Sequence, residues 1–107
     1  MATLPNIHPG EVLNEEFLIP FGLSQEMLAK EIDVPTPHIK DICSGQRSIS
    51  ADMALRFARF FGTTASFWLG LQADYDTEET ERALHDTLSR ICRYVPGKLK
   101  NEPSNLR

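Results

Sequence analysis

The chain has 107 residues, 41% hydrophobic and 24% charged, which is ordinary for one globular domain with a tail. No apolar run approaches the ~20 residues a membrane-crossing helix needs. A net charge of −4 argues against indiscriminate nucleic-acid binding, so any DNA contact must come from a local basic face.

In chain order, Met1–Asn6 reads as a loose lead, and residues 1–7 precede the folded domain. The lead has no basic region followed by an apolar segment, so no signal peptide is expected and the chain should be cytoplasmic. A first helix is predicted from Glu11 to about Ile19, with Val12, Leu13, Phe17 and Leu18 as its apolar set and Pro20 as its stop. Ser24 caps a second helix in which Leu28, Ala29 and Ile32 recur at helical spacing. Ala29 is small where another helix must cross closely. Asp33-Val34-Pro35 forms a turn with Val34 as an apolar plug. A third helix starts near Thr36, with Pro37 in its first turn, where a missing N–H costs little. Ile39 and Ile42 face inward, and Gly45 sits where a positive φ ends the helix.

That layout is a helix-turn-helix. The outward residues of the third helix are Thr36, Pro37, His38, Lys40, Asp41 and Ser44, a short polar face of the kind that enters a major groove. Gln46 and Arg47 follow it, within reach of a phosphate strand. From Thr36 to Arg59, Lys40, Arg47, Arg56 and Arg59 stand against Asp41 and Asp52. The surplus is small, so a monomer should bind weakly at physiological salt, and a dimer that doubles the contacts is expected.

Ser50 caps a fourth helix, Ala51 to Phe61, with Met53, Ala54, Leu55, Phe57, Ala58 and Phe61 apolar and Gly62 at its end. A fifth helix begins near Ser66 and carries Phe67, Trp68, Leu69, Leu71 and Tyr75. Thr77 is read as the cap of a sixth helix reaching about Tyr94, with Glu78 and Glu79 in its first turn and Arg90 and Arg93 in its last. Leu84, Leu88, Ile91 and Val95 then make a heptad-like stripe. It would pack on the chain's own core or on a second copy; the second is preferred, because five helices already suffice for a small core. The expected architecture is all-α: a compact five-helix domain at 8–76, a C-terminal dimerisation helix at 77–95, and a disordered polar tail at 96–107.

No phosphate-cradling glycine loop, HExxH, nucleophile elbow or catalytic Cys/His spacing is present, so the sequence points away from an enzyme. Cys43 and Cys92 lie far apart, and His8, His38 and His85 fall in separate segments. Neither a disulfide nor a metal site is expected.

Three blocks carry a family resemblance: HPGEVLNEEFLIPFGLSQ at His8–Gln25, the helix-turn-helix ending in SGQRSIS at Ser44–Ser50, and ADMALRFARFFGTTASFWLGLQADYD at Ala51–Asp76. The chain resembles the phage-repressor-like (XRE) helix-turn-helix family, and within it the HigA-type antitoxins, also called the virulence-associated protein I group. The resemblance implies a bacterial homodimer without a cofactor. Such a protein neutralises a small messenger-RNA-cleaving toxin and represses its own operon at a palindromic operator. It places groove contacts on Thr36, Pro37, Lys40 and Asp41, and phosphate contacts on Gln25, Gln46 and Arg47. The N–H groups at the start of the second helix would support Gln25; Lys40 would suit a guanine edge or a phosphate, and Thr36 a base or a thymine methyl. Asp41 must accept from a cytosine amine or pair with Lys40.

The chain also departs from the family pattern. Asp33 replaces a frequent glycine, Pro37 cannot hydrogen-bond a base, and Ser44-Gly45-Gln46 replaces a usual Asn-Gly-Lys, which removes a cation. Two other readings stay open: a stand-alone regulator without a toxin, and a protein-binding module that has lost DNA affinity. A neighbouring gene for a basic protein separates the first, and substitution of Lys40 and Arg47 separates the second. A basic toxin would suit either the acidic stretch Asp74–Glu81 or the first helix with Glu11, Glu15 and Glu16.

Overall fold

The computed structural model describes residues 6–97; Met1–Pro5 and the tail from Lys98 lie outside them. Among the described residues the fold is all-helical. Asn6, expected in the loose lead, is tied down: its Nδ2 donates to the Tyr75 carbonyl at 2.9 Å and to Glu79 at 3.1 Å.

Helix α1 has three parts: an α-turn Pro9–Val12, a π-helical stretch Leu13–Leu18 and a closing turn Ile19–Phe21. His8 caps it, its Nδ1 accepting from the Gly10 N–H at 2.9 Å. Pro20 therefore does not stop the helix, as expected, but sits inside it. In α geometry its ring would crowd the carbonyl four residues back, and it has no N–H to offer. The wider π spacing, seen in the Ile19 N–H donating to Asn14, accommodates it. Gly22 ends α1 at φ 67°.

Helix α2 is Gln25–Glu31, with Ser24 Oγ accepting from the Met27 N–H at 3.0 Å. Asp33 takes φ 62°, the left-handed conformation that Asp tolerates better than most residues, and Val34 half-buries between the helices as expected. Helix α3 is Thr36–Cys43. It closes with paired bonds from the Gly45 N–H to Ile42 (3.1 Å) and the Gln46 N–H to Asp41 (2.8 Å), with Gly45 at φ 82°. Helix α4 is Ala51–Phe61, capped by Ser50. Leu55, one of the apolar residues of this helix, points outward at 62% exposure.

Helix α5 runs Ala65–Ala83, starting beside Ser66 as expected and capped by Thr64. Thr77 does not start a new helix. No glycine or proline interrupts residues 71–83, and Arg82 binds Glu78 at 2.9 Å and Glu79 at 3.2 Å along the same face. The break comes at Leu84, and α6 is only His85–Ser89. The predicted stripe is thus not one helix: of Leu84, Leu88, Ile91 and Val95, only Leu88 is helical. Every residue from Glu81 to Gly97 is exposed. A helix that buries no face has little to hold it, which is why this segment is short and broken.

The core gathers under α2, α3 and α4. Leu28, Ala29, Ile39, Ile42, Ala54 and Phe57 are buried, and α5 drops Trp68 into its side. The Trp68 ring lies 4.9 Å from Phe17 and 5.0 Å from Phe57, and its Nε1 donates to Thr63 at 2.8 Å. Gly10 sets the approach of α1 to α3. A Cβ there would stand 1.7 Å from the Ile42 carbonyl oxygen.

Candidate nucleic-acid interface

The turn between α2 and α3 is held from outside. Arg56, on α4, donates from its NH1 nitrogen to the carbonyls of Ile32 at 2.7 Å and Asp33 at 3.1 Å, while its Nε pairs with Asp52 at 2.6 Å. The Asp52 hydrogen bond foremost, with the charges of Asp52 and Asp33, holds the guanidinium above its ordinary range. Arg56, counted from sequence among the cations of the basic face, is spent on bracing the turn.

On α3, Pro37 and Lys40 are exposed, and Thr36, His38 and Asp41 are half-buried. Gln25 and Glu26 at the start of α2 share a shallow depression with Thr36 and Lys40. Two helix starts therefore sit side by side. The Gln25 side chain also lies near the Cys43 thiol. Burial pushes the Cys43 thiol up, and this contact pulls the other way. Cys43 packs against the core.

Below α3, Ser44, Gln46 and Arg47 are exposed. The Ser44 hydroxyl turns back to donate to the Asp41 carbonyl at 3.2 Å, so its proton is engaged on its own helix. Asp41 does not pair with Lys40. Its carboxylate lies 3.8 Å from Arg47, with both side chains about half exposed. Lys40 makes no ion pair among the described residues. Asp41→Asn is accordingly expected to release Arg47 and to raise affinity for operator and scrambled DNA alike, by up to about fivefold. Anisotropy titrations on both DNAs check this; a loss confined to the operator would mean instead that Asp41 reads a base.

Sequence reasoning missed two residues that support this face. Gln72 on α5 is buried and accepts from the Ile49 N–H at 2.8 Å. His8 packs edge-on against Tyr75, with ring centroids 4.8 Å apart, and would lie 3.8 Å from a Cβ at Gly45. Both belong to blocks quoted above, but a lone buried amide or half-buried imidazole has no periodicity to reveal it.

Burial holds the His8 pKa below its ordinary 6.5, with Asp76 pulling weakly upward. The folded state thus favours neutral His8, whose Nδ1 must accept from Gly10. This contribution is complete above pH 6.5 and is lost as pH falls from there toward the lowered folded value. Thermal melts of His8→Asn, which keeps an acceptor at the cap, should show a flatter acid limb than the parent. An unchanged limb would assign the acid sensitivity elsewhere.

Two helices crossing at a left-handed turn, the second presenting a short polar face beside an exposed Gln-Arg loop, define a helix-turn-helix protein of the DNA-reading kind. The helix-turn-helix family model matches residues 15–68. Virulence-associated protein I of Dichelobacter nodosus is 48% identical over 79 residues, covering 74% of this chain and 73% of that protein. Among solved structures, Pseudomonas aeruginosa antitoxin HigA with the higBA promoter aligns with TM-score 0.81 and 40% identity, over 85% of this chain and all of that one. Antitoxin GraA in complex with its operator aligns at 0.79 and 38%, over 89% and 97%. The chain belongs to the HigA-type antitoxin family of helix-turn-helix proteins.

Proposed function

We propose that the chain is an operator-binding antitoxin that represses its own operon and neutralises a small basic toxin that cleaves messenger RNA. The observation that carries the DNA half is the exposed face of α3. Lys40 stands there without a counter-ion among the described residues, beside the Gln25 side chain and above the Gln46–Arg47 loop. Relatives of the same fold have been solved with promoter or operator DNA. In this reading Thr36, Pro37, His38, Lys40 and Asp41 face the groove, and Gln25, Ser44, Gln46 and Arg47 face the backbone. Lys40 supplies charge to a guanine edge or a phosphate, and Pro37 supplies only shape and apolar contact.

The net cation count is low, because Arg47 shares Asp41 and Arg56 serves the turn. Binding to a palindrome by two copies compensates. Leu84, Leu88, Ile91 and Val95 are 41%, 41%, 65% and 46% exposed, and they serve this reading as an apolar segment covered by a second copy rather than as a continuous heptad helix.

The ion pairs weigh between the two acidic stretches offered to a basic toxin. Glu78 and Glu79 are used by Arg82. Glu11, Glu15 and Glu16 make no ion pair among the described residues and border Ile7 and Val12. Asp74, Asp76 and Glu81 also make none among the described residues, but on the outer face of α1 all three carboxylates are free of ion pairs and line one depression, which makes it the better dock.

The test is fluorescence-anisotropy binding of the purified chain to DNA upstream of its own gene, at two salt concentrations, beside scrambled DNA. Salt-sensitive binding that prefers the upstream DNA supports the reading. No preference at either salt, alone or with the neighbouring gene product added, overturns it in favour of a protein-binding module.

A further inference from the structure

We infer that Gln72, on α5 and outside the helix-turn-helix, is the positioning residue for the phosphate-facing loop between α3 and α4; this rests on the DNA-binding reading above. Among the described residues Gln72 is the one buried polar side chain, 6% exposed. Its two ends are both engaged. The Oε1 accepts from the Ile49 N–H at 2.8 Å, and the Nε2 donates to Asp76 at 3.0 Å. Asp76 can only accept, so it fixes which end of the amide is which and turns the oxygen toward Ile49.

The loop from Ser44 to Ser50 is anchored at its start by the bonds that close α3, and at its end by the Ser50 cap. Arg47 and Ser48 between them make no backbone hydrogen bond of their own. Ile49 is 3% exposed, and its N–H has Gln72 as its partner. That buried bond, together with the Ile49 side chain packed in the core, sets where the loop meets the body of the protein, and with it where Gln46 and Arg47 stand. Removing the acceptor would leave a buried N–H unpaired, which a loop can relieve by moving out to water. The exposed residues two and three positions upstream would move with it.

The test is a double-mutant cycle in operator binding with the full chain. Gln72→Met keeps the length of the side chain and removes both hydrogen bonds. It should weaken binding about tenfold, much as Arg47→Ala does, and lower the salt dependence by about the same amount. The double variant should bind no worse than the weaker single, because a mispositioned Arg47 has nothing further to lose. Gln72→Glu with Asp76→Asn restores both hydrogen bonds at unchanged charge and should recover affinity. If the methionine variant does not fold, the exposed Asp76→Ala decides. Loss of a carboxylate alone would tighten DNA binding, whereas loss of the amide's orientation weakens it. Additive losses in the cycle, or tighter binding by Asp76→Ala, overturn the role of Gln72. Absence of binding by the parent chain would instead sink the DNA reading on which it rests.

Discussion

Replacing Lys40 and Arg47 together by alanine is expected to lower operator affinity about a hundredfold to a thousandfold near physiological salt. Lys40 has no ion pair among the described residues and projects from the exposed face of α3. Arg47 is held at the foot of the same helix by Asp41. In a two-fold complex each substitution acts twice, so about four cationic contacts disappear and the slope of log K against log salt should fall by roughly 3–4. Both side chains are exposed, so thermal stability should change little. Anisotropy titrations at several salt concentrations measure affinity and slope together. An unchanged slope would show that neither side chain meets a phosphate, and would favour the protein-binding alternative.

Gly10→Ala is expected to destabilise the fold by about 3 kcal/mol or more, read as a fall in the thermal or urea midpoint. The new Cβ would stand 1.7 Å from the Ile42 carbonyl oxygen and 3.0 Å from the Cys43 Cα. Both are backbone atoms of α3, so no side chain can swing aside. Relief requires α1 to move off the end of the recognition helix, and Gly10 itself sits fully inside that contact. DNA binding should fall with stability, because α3 loses the support behind its last turn. By contrast, Gly70 meets nothing within 4 Å, and alanine there should be tolerated or slightly stabilising. Equal behaviour of the two variants would show that the close approach of α1 is not fixed in solution.

The helix-turn-helix was legible because its signals are local. The Ser24 cap, the Asp33 turn, Pro37 in the first turn of α3 and Gly45 after it each depend on a few neighbouring residues, and each sits where its chemistry requires. The inward positions Leu28, Ala29, Ile39 and Ile42 follow from helical spacing and are buried. The C-terminal reading failed for the opposite reason. Thr77 can cap a helix or continue one, and only an unbroken α5 tells which. A heptad spacing over Leu84, Leu88, Ile91 and Val95 is compatible with a helix but cannot maintain one where nothing is packed against it.

Charge was the other limit. Counting cations from Thr36 to Arg59 treats all as available, yet Arg56 serves the Ile32 and Asp33 carbonyls and Arg47 shares Asp41. Which carboxylate a guanidinium meets depends on separations between helices, which a linear chain does not display.

By itself, the sequence determined an all-α protein, its caps and turns, and a polar third helix suited to a DNA groove. Those follow from spacing and backbone preference over a few residues. Tertiary structure alone decided that Pro20 lies inside a π-widened helix, that Gly10 carries the contact between α1 and α3, and that Gln72 reaches across to Ile49. The last two join residues more than twenty positions apart. Their energetics come from close packing and from a buried hydrogen bond, both of which exist only once the helices have met.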